Sequence, residues 1–299
     1  MSSSDRRKTV LITGATGTTG KAAVRESLAL GLSVRAMVHS IDERSQALAG
    51  LGAEIVVGDL LEINTIRAAL EGIDAAYFVY PIRPGLIHAT VNFAQAVRET
   101  GGNVVLNLSQ RSAHREATSN SSRDTYISEQ VFNWSGVDVI HLRPTMFQEW
   151  LTYPWMLSYI QHGALRMSAG QGTSSPVAGP DQGRAIAALL LHPEKHIGTT
   201  IPLSGPAEMG QEQMAAELSE ALGRKIVYQN PPVDEFAASL AQFGVPPYGV
   251  QHVRGTMIDY QIGRLSGADD NIEKLTGQRP MTVGEFARAH AGLLNGVTG

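Results

Sequence analysis

The chain has 299 residues, 43% hydrophobic and 17% charged, enough to bury one large core or two modest ones without disulfide or metal staples. Its formal net charge is −4 and its basic residues are scattered, which excludes a basic nucleic-acid-binding stripe and an acidic solvating tail. It has no cysteine, so disulfides, thiolate nucleophiles, iron–sulfur clusters and sulfur-ligated zinc are excluded as well.

The opening "MSSSDRRKTV" lacks the apolar stretch of a signal peptide. The run "AIAALLL" falls far short of the about 20 residues that cross a bilayer. A soluble, cytoplasmic protein is expected, with no nucleic-acid or membrane partner; the sequence leaves a homo-oligomer open.

Six strand candidates follow in order: 9–13 ("TVLIT"), 33–38 ("SVRAMV"), 54–58 ("EIVVG"), 75–80 ("AAYFVY"), 103–109 ("NVVLNLS") and 137–142 ("VDVIHL"). Helix-period segments such as "TGKAAVRESLALG" and "HATVNFAQAVRETG" lie between them, the second ending at a glycine as helix C-termini often do. Apolar runs alternating with helices imply parallel strands joined by right-handed crossovers. The expected fold is therefore α/β, a Rossmann-type doubly wound parallel sheet. Past residue 145 the texture changes to an aromatic-rich stretch, a turn-rich loop and further helices, with no linker between the halves. This predicts a dinucleotide-binding core over 1–145 and a smaller α+β substrate lobe over 146–299, packed on the core rather than independent.

The first strand runs into "TGATGTTG". Gly14, Gly17 and Gly20 have the spacing that permits a tight turn, leaves room for a diphosphate and lets the following helix pack closely. The helix N-terminus then presents free amides and a partial positive charge to the anion. Thr16, Thr18 and Thr19 add hydroxyl donors. At the tip of the second strand stand His39 and Ser40, with Arg44 beyond and no carboxylate at the tip itself, although Asp42 and Glu43 are close behind. A cation there suits the 2′-phosphate, so NADP(H) is favoured over NAD(H). Asp59 after the third strand suits the adenine amino group or a helix cap, and Leu60 offers an apolar contact.

These motifs, together with "VRAMVHS", "GDL", the stretch around "LRPTMF" and "LTGQRPMTVGEFA", resemble the NmrA-like proteins, atypical members of the short-chain dehydrogenase/reductase superfamily. That family includes NAD(P)H-dependent quinone, dye and benzylic ether reductases and also non-catalytic regulators that sense nicotinamide nucleotides. The resemblance implies that Gly14, Gly17 and Gly20 hold the diphosphate and that Asp59 and Leu60 meet the adenine. It implies that Val79, Tyr80 and Pro81 line the ribose and nicotinamide side, and that Ser109 stands where the superfamily often has a catalytic serine. His39 departs from the arginine many relatives carry at its position.

Many superfamily reductases protonate the substrate through a tyrosine whose pKa is lowered by a lysine four residues on. Here Tyr126 is followed by Gln130, and no lysine occurs between Lys21 and Lys195. Three readings stay open: Tyr126 acts without lysine, helped by Ser109 or Arg123; an easily reduced acceptor needs no protein acid; or nucleotide binds without turnover.

Tyr80, Phe147, Trp150, Tyr153 and Trp155 concentrate aromatic surface that could stack a flat acceptor or anchor the second lobe. His192 and His196 flank Pro193 with no third ligand in view, so no metal site is expected. Arg143 is expected to close the sixth strand, with a buried carboxylate as its other possible partner, and Asp181 to cap a helix. The function expected is an NAD(P)H-dependent oxidoreductase delivering hydride to a small apolar or aromatic acceptor, a quinone, related carbonyl or dye. The alternatives are a non-catalytic NADP-binding sensor and a pathway-specific reductase or isomerase.

Overall fold

The computed structural model describes residues 7–101 and 103–296. Its first half alternates strand and helix: β1 (Thr9–Ile12), α1 (Thr18–Ala29), β2 (Ser33–Val38), α2 (Glu43–Gly50), β3 (Glu54–Val57), α3 (Ile63–Leu70), β4 (Ala75–Phe78), α4 (Leu86–Thr100), β5 (Val104–Leu108), α5 (Asn120–Ser135) and β6 (Val139–Pro144). All six expected strands are present, each rich in apolar or β-branched residues that suit a sheet covered by helices on both faces. In β1, Val10 and Ile12 enter the core on one face and Leu11 the core on the other, all three fully buried.

After β6 come a 3-10 turn (Gln148–Thr152), α6 (Pro154–Gln161), β7 (Ala164–Arg166), β8 (Thr173–Ser174), α7 (Gly179–Leu191) and β9 (Thr200–Leu203). β9 returns to the main sheet and pairs parallel with β6, giving seven parallel strands in the order β3-β2-β1-β4-β5-β6-β9. α7 packs along α1, and Gly183 makes that approach possible: a Cβ there would lie 2.5 Å from Ala22 Cβ. The chain thus crosses back over the division expected at residue 145, lending a strand and a helix from the second half to the nucleotide-binding core.

The rest is β10 (Met209–Gly210), α8 (Gln211–Leu222), β11 (Val227–Gln229), α9 (Val233–Ala241), α10 (Pro247–Gln261), α11 (Asn271–Thr276), α12 (Val283–Ala289) and α13 (Ala291–Leu294). With β7 paired to β11 and β8 to β10, these helices form a lobe whose own core includes Leu151, Trp155, Phe236, Met257 and Phe286. Asp181 does not cap α7, whose N-cap is Ala178; fully buried, it accepts from Met281 N (2.7 Å) and pairs with Arg184 (2.5 Å), tying the C-terminal segment to the core. Among the described residues no helix is long and apolar enough to cross a membrane.

Candidate nucleotide and acceptor site

A cavity of about 900 Å³ runs along the C-terminal ends of the parallel strands and continues under the second lobe. In open parallel sheets this is where ligands bind. Its floor begins at the β1–α1 turn. Thr13 Oγ1 donates to Val79 O (3.3 Å) and accepts from Val79 N (2.9 Å), stitching the ends of β1 and β4. Gly14 then turns the chain with φ +55°, a conformation that L side chains rarely adopt.

The three glycines divide the work. A Cβ on Gly14 would strike Val79 Cγ1 at 2.7 Å, and one on Gly20 would sit 2.2 Å from the Gly14 carbonyl oxygen. Gly20 therefore lets α1 press against the loop itself, a closer contact than the helix–sheet packing expected of it. A Cβ on Gly17 would meet only Gly14 O, at 3.2 Å; it would otherwise enter the cavity. Gly17 is also the N-cap of α1 and supplies no capping side chain. The first amides of the helix, from Thr18 to Gly20, are left for a ligand at the positive end of its dipole. An anionic diphosphate fits this cradle in shape and in charge.

Thr16, Thr18 and Thr19 all line the cavity. The Thr19 hydroxyl, however, lies 2.9 Å from the buried Tyr77 hydroxyl, so part of its hydrogen-bonding capacity is spent within the fold.

His39, Arg44, Asp59 and Leu60 come together at the β2–β3 end of the cavity. His39 Nδ1 lies 3.9 Å from Asp59 Oδ2. The other carboxylate oxygen of Asp59 accepts from Leu61 N (2.9 Å), which closes the turn before α3 rather than capping the helix. Asp42 caps α2 by accepting from Ser45 N (3.0 Å) and also holds Arg44 through Nε (2.9 Å) and Nη2 (2.6 Å). The Ser45 amide and the Arg44 guanidinium hold the Asp42 carboxyl below its ordinary range. Val79, Tyr80 and Pro81 line the next stretch. The Tyr80 hydroxyl donates to Pro84 O (3.1 Å) and its ring carries Arg83, 5.2 Å from the centroid.

Ser109, at the end of β5, lines the cavity and donates to Glu129 Oε1. Glu129 is 2% exposed and accepts two bonds from Arg143, Nε to Oε1 (2.8 Å) and Nη2 to Oε2 (2.5 Å). Arg143 thus has the buried carboxylate partner that the sequence analysis raised as an alternative to closing the strand, and it stands near the end of β6 as well. The carboxylate beside it keeps the Arg143 guanidinium protonated, above its ordinary range. Tyr126 is half-buried on α5 near Arg143 and is not among the residues lining the cavity. The structure brings Ser109 to the site and leaves Tyr126 behind it.

Phe147, Trp150, Tyr153 and Trp155 wall the lobe side. Trp150 and Trp155 meet edge-on with centroids 5.4 Å apart, and Trp155 continues to Phe236 at 6.1 Å. The aromatic cluster therefore anchors the lobe and faces the cavity at once. Tyr153 lies at the loop end, hydrogen-bonded to Thr18; burial and nearby Glu149 push its phenol up.

Sequence reasoning missed the α10 wall: Gly249, His252, Val253 and Thr256 also line the cavity. His252 is 7% exposed, its Nδ1 lies 2.8 Å from Ser119 Oγ, and burial pulls its pKa down to about 4.

The NmrA-like family model matches residues 6–110, the segment that builds the glycine loop, the β2–β3 end of the cavity and β1 to β5. Over 283 residues it is 26% identical to the NAD(P)H azoreductase of Xenophilus azovorans, covering 94% of this chain and 98% of that protein. The crystal structure of an NADPH-dependent quinone oxidoreductase from Escherichia coli superposes with a TM-score of 0.80 at 25% identity, covering 94% of this chain and 98% of the other. The negative transcriptional regulator NmrA in complex with NADP shares the fold, with a TM-score of 0.78 at 18% identity and 95% of each chain covered.

Proposed function

We propose that this chain is an NAD(P)H-dependent oxidoreductase that reduces a small flat acceptor, a quinone or an aromatic dye. The observation that carries the reading is the continuity of the cavity, which passes from the amide cradle at Gly17 by Ser109 to the wall of Trp150 and Trp155. A bound reduced nicotinamide supplies the hydride. The chain's residues hold the dinucleotide along the strand ends and stack the acceptor within reach, which is most of what hydride delivery asks of a protein. The relatives that reduce azo compounds and quinones support the same reading.

Three details refine it. Ser109 points its proton at Glu129, so its oxygen can accept a hydrogen bond from the cavity but its proton is not free for the substrate. Tyr126 lies off the cavity, and with no lysine between Lys21 and Lys195 a tyrosine–lysine acid is not part of the proposal. NADP(H) is favoured over NAD(H): Asp42, the first carboxylate after the β2 tip in sequence, is taken up by the α2 cap and Arg44, while Arg44 and His39 face the cavity.

The test is loss of NADPH absorbance with a panel of quinones and azo and triphenylmethane dyes. Saturable consumption with at least one acceptor is expected; nucleotide binding with no turnover across the panel would remove the proposal. The second reading, a nucleotide-sensing regulator, draws on the position of Tyr126 outside the cavity. Partner capture that is identical with NADP, NADPH and no nucleotide would remove that one.

A further inference from the structure

Several hydroxyls at the acceptor end of the cavity have their protons committed within the fold. Ser109 donates to Glu129, Tyr80 to Pro84 O, Thr125 to Ser121 O and Thr145 to Ser175 O. Thr256 donates to His252 O, and Gln110 Nε2 to Thr125 Oγ1. Arg111 also lines the cavity, with Nη2 donating to Ser266 O (2.6 Å) and Nη1 4.0 Å from Asp269. An acceptor that gains negative charge with the hydride finds no free proton on these hydroxyls.

His252 adds a neutral donor held in a fixed orientation. It lies on α10, where Gly255 lets the helix close onto the start of α5: a Cβ on Gly255 would lie 2.5 Å from Ser119 N. Gln251 fastens the same contact, accepting from Asn120 N (2.8 Å) and donating to Thr118 O (2.8 Å), and Tyr248 donates to Asp124 (2.8 Å). The imidazole is held with Nδ1 on Ser119 and lines the cavity, so Nε2 is the nitrogen left to meet an occupant. The tautomer follows from the serine. Ser119 Oγ already accepts from Ser122 N (3.1 Å), and this fully buried hydroxyl has His252 Nδ1 as the acceptor for its own proton. The ring proton therefore belongs on Nε2.

We propose, building on the reductase reading, that His252 Nε2–H is the hydrogen-bond donor to a carbonyl oxygen of the acceptor, and that Ser119 is the positioning residue that fixes its tautomer. A quinone that takes up a hydride becomes a hydroquinone monoanion, and the imidazole N–H stabilises the oxygen that carries the charge. Water delivers the second proton, so the histidine ends each turnover in its starting state. Its low basicity keeps it neutral near pH 7, a donor that does not add a charge to an apolar pocket.

The experiment uses the full chain with NADP+ bound, so that no turnover intervenes. It measures the affinities of menadione and methylnaphthalene, the same ring system with and without oxygens. The wild type is expected to prefer menadione. His252→Leu should lose about five- to ten-fold of that preference, and His252→Gln, which keeps an N–H donor, should retain most of it. All three should bind NADP+ equally, which reports on their folding. ¹⁵N spectra of the wild type should show the Nε2-protonated ring, and the Ser119→Ala protein should lose that fixed tautomer. A wild type with no preference, a His252→Leu protein that keeps it, or an Nδ1-protonated ring overturns the assignment. NADPH consumption by the wild type decides the reductase reading separately: turnover without the His252-dependent preference sinks this inference alone, and preference without turnover sinks the reductase reading.

Discussion

The carbonyl oxygen of Gly14 stands 2.2 Å from where a Cβ on Gly20 would lie, whereas Gly17 faces open cavity with only that same oxygen nearby, at 3.2 Å. Two glycines of one motif thus do separable jobs. Gly20→Ala is expected to lower stability by about 2–3 kcal/mol, since backbone on both sides must move. Gly17→Ala should leave the urea midpoint nearly unchanged and weaken NADPH binding about tenfold or more, because the methyl group enters the space reserved for the diphosphate. Denaturation and calorimetric titration of the two proteins separate the effects. Equal losses in both measurements would contradict the division.

Arg143 and Glu129 form a two-bonded ion pair, with Glu129 buried behind Ser109. Arg143→Met leaves that carboxylate without its counter-charge and should cost about 3–5 kcal/mol in a urea titration. Glu129→Gln keeps acceptor capacity for Ser109 and should cost less than half of that. A reversed order would mean that the pair is not what holds Ser109 in place.

At the β2–β3 end of the cavity, Asp42 competes with any phosphate for Arg44. Asp42→Asn preserves the cap, for which asparagine serves as well as aspartate, and removes the competing charge. It should raise the preference for NADPH over NADH about two- to five-fold, while Arg44→Ala should lower it by a similar factor. Fluorescence titrations with both nucleotides provide the check; a preference that both variants leave unchanged would move the 2′-phosphate elsewhere.

The depressed His252 pKa, from an ordinary 6.5 to about 4, carries a stability signature. Between those values the unfolded chain binds a proton that the folded chain refuses, so this contribution is complete above about pH 6.5 and is lost as pH falls toward 4. Over the window it amounts to about 3 kcal/mol. His252→Gln should flatten that part of the stability–pH curve, which urea midpoints at closely spaced pH values would show. The same slope in both proteins would mean that the ring titrates normally.

The six strands were legible because each is rich in apolar or β-branched residues, and β2 matches its sequence reading at both ends. β9 was not: it has four residues, one of them Pro202, which a strand tolerates at the edge of a sheet where a missing N–H does no harm. α10 was hidden for another reason. It holds Gly249, Gly255, Val250, Val253 and Thr256, poor helix formers that give no amphipathic signal of their own. It packs on α9 and on the start of α5, and the second contact depends on Gly255 having no side chain. His252 was overlooked with it. On the nucleotide side the reading ran the other way. A glycine spacing is a local device and shows in the sequence, whereas the engagement of Thr19 with Tyr77, 58 positions away, is settled by packing across the fold.

The wedge of Gly183 against Ala22 has a consequence for how the molecule can be divided. The helix that greets the diphosphate is braced from behind by a helix that the chain supplies only after it has begun the second lobe. A fragment ending at residue 145 would leave the flank of α1 and the outer rim of β6 bare, an invitation to clump rather than to bind. Nucleotide capture and the shaping of the acceptor pocket are therefore woven from one thread, and neither can be excised and kept working.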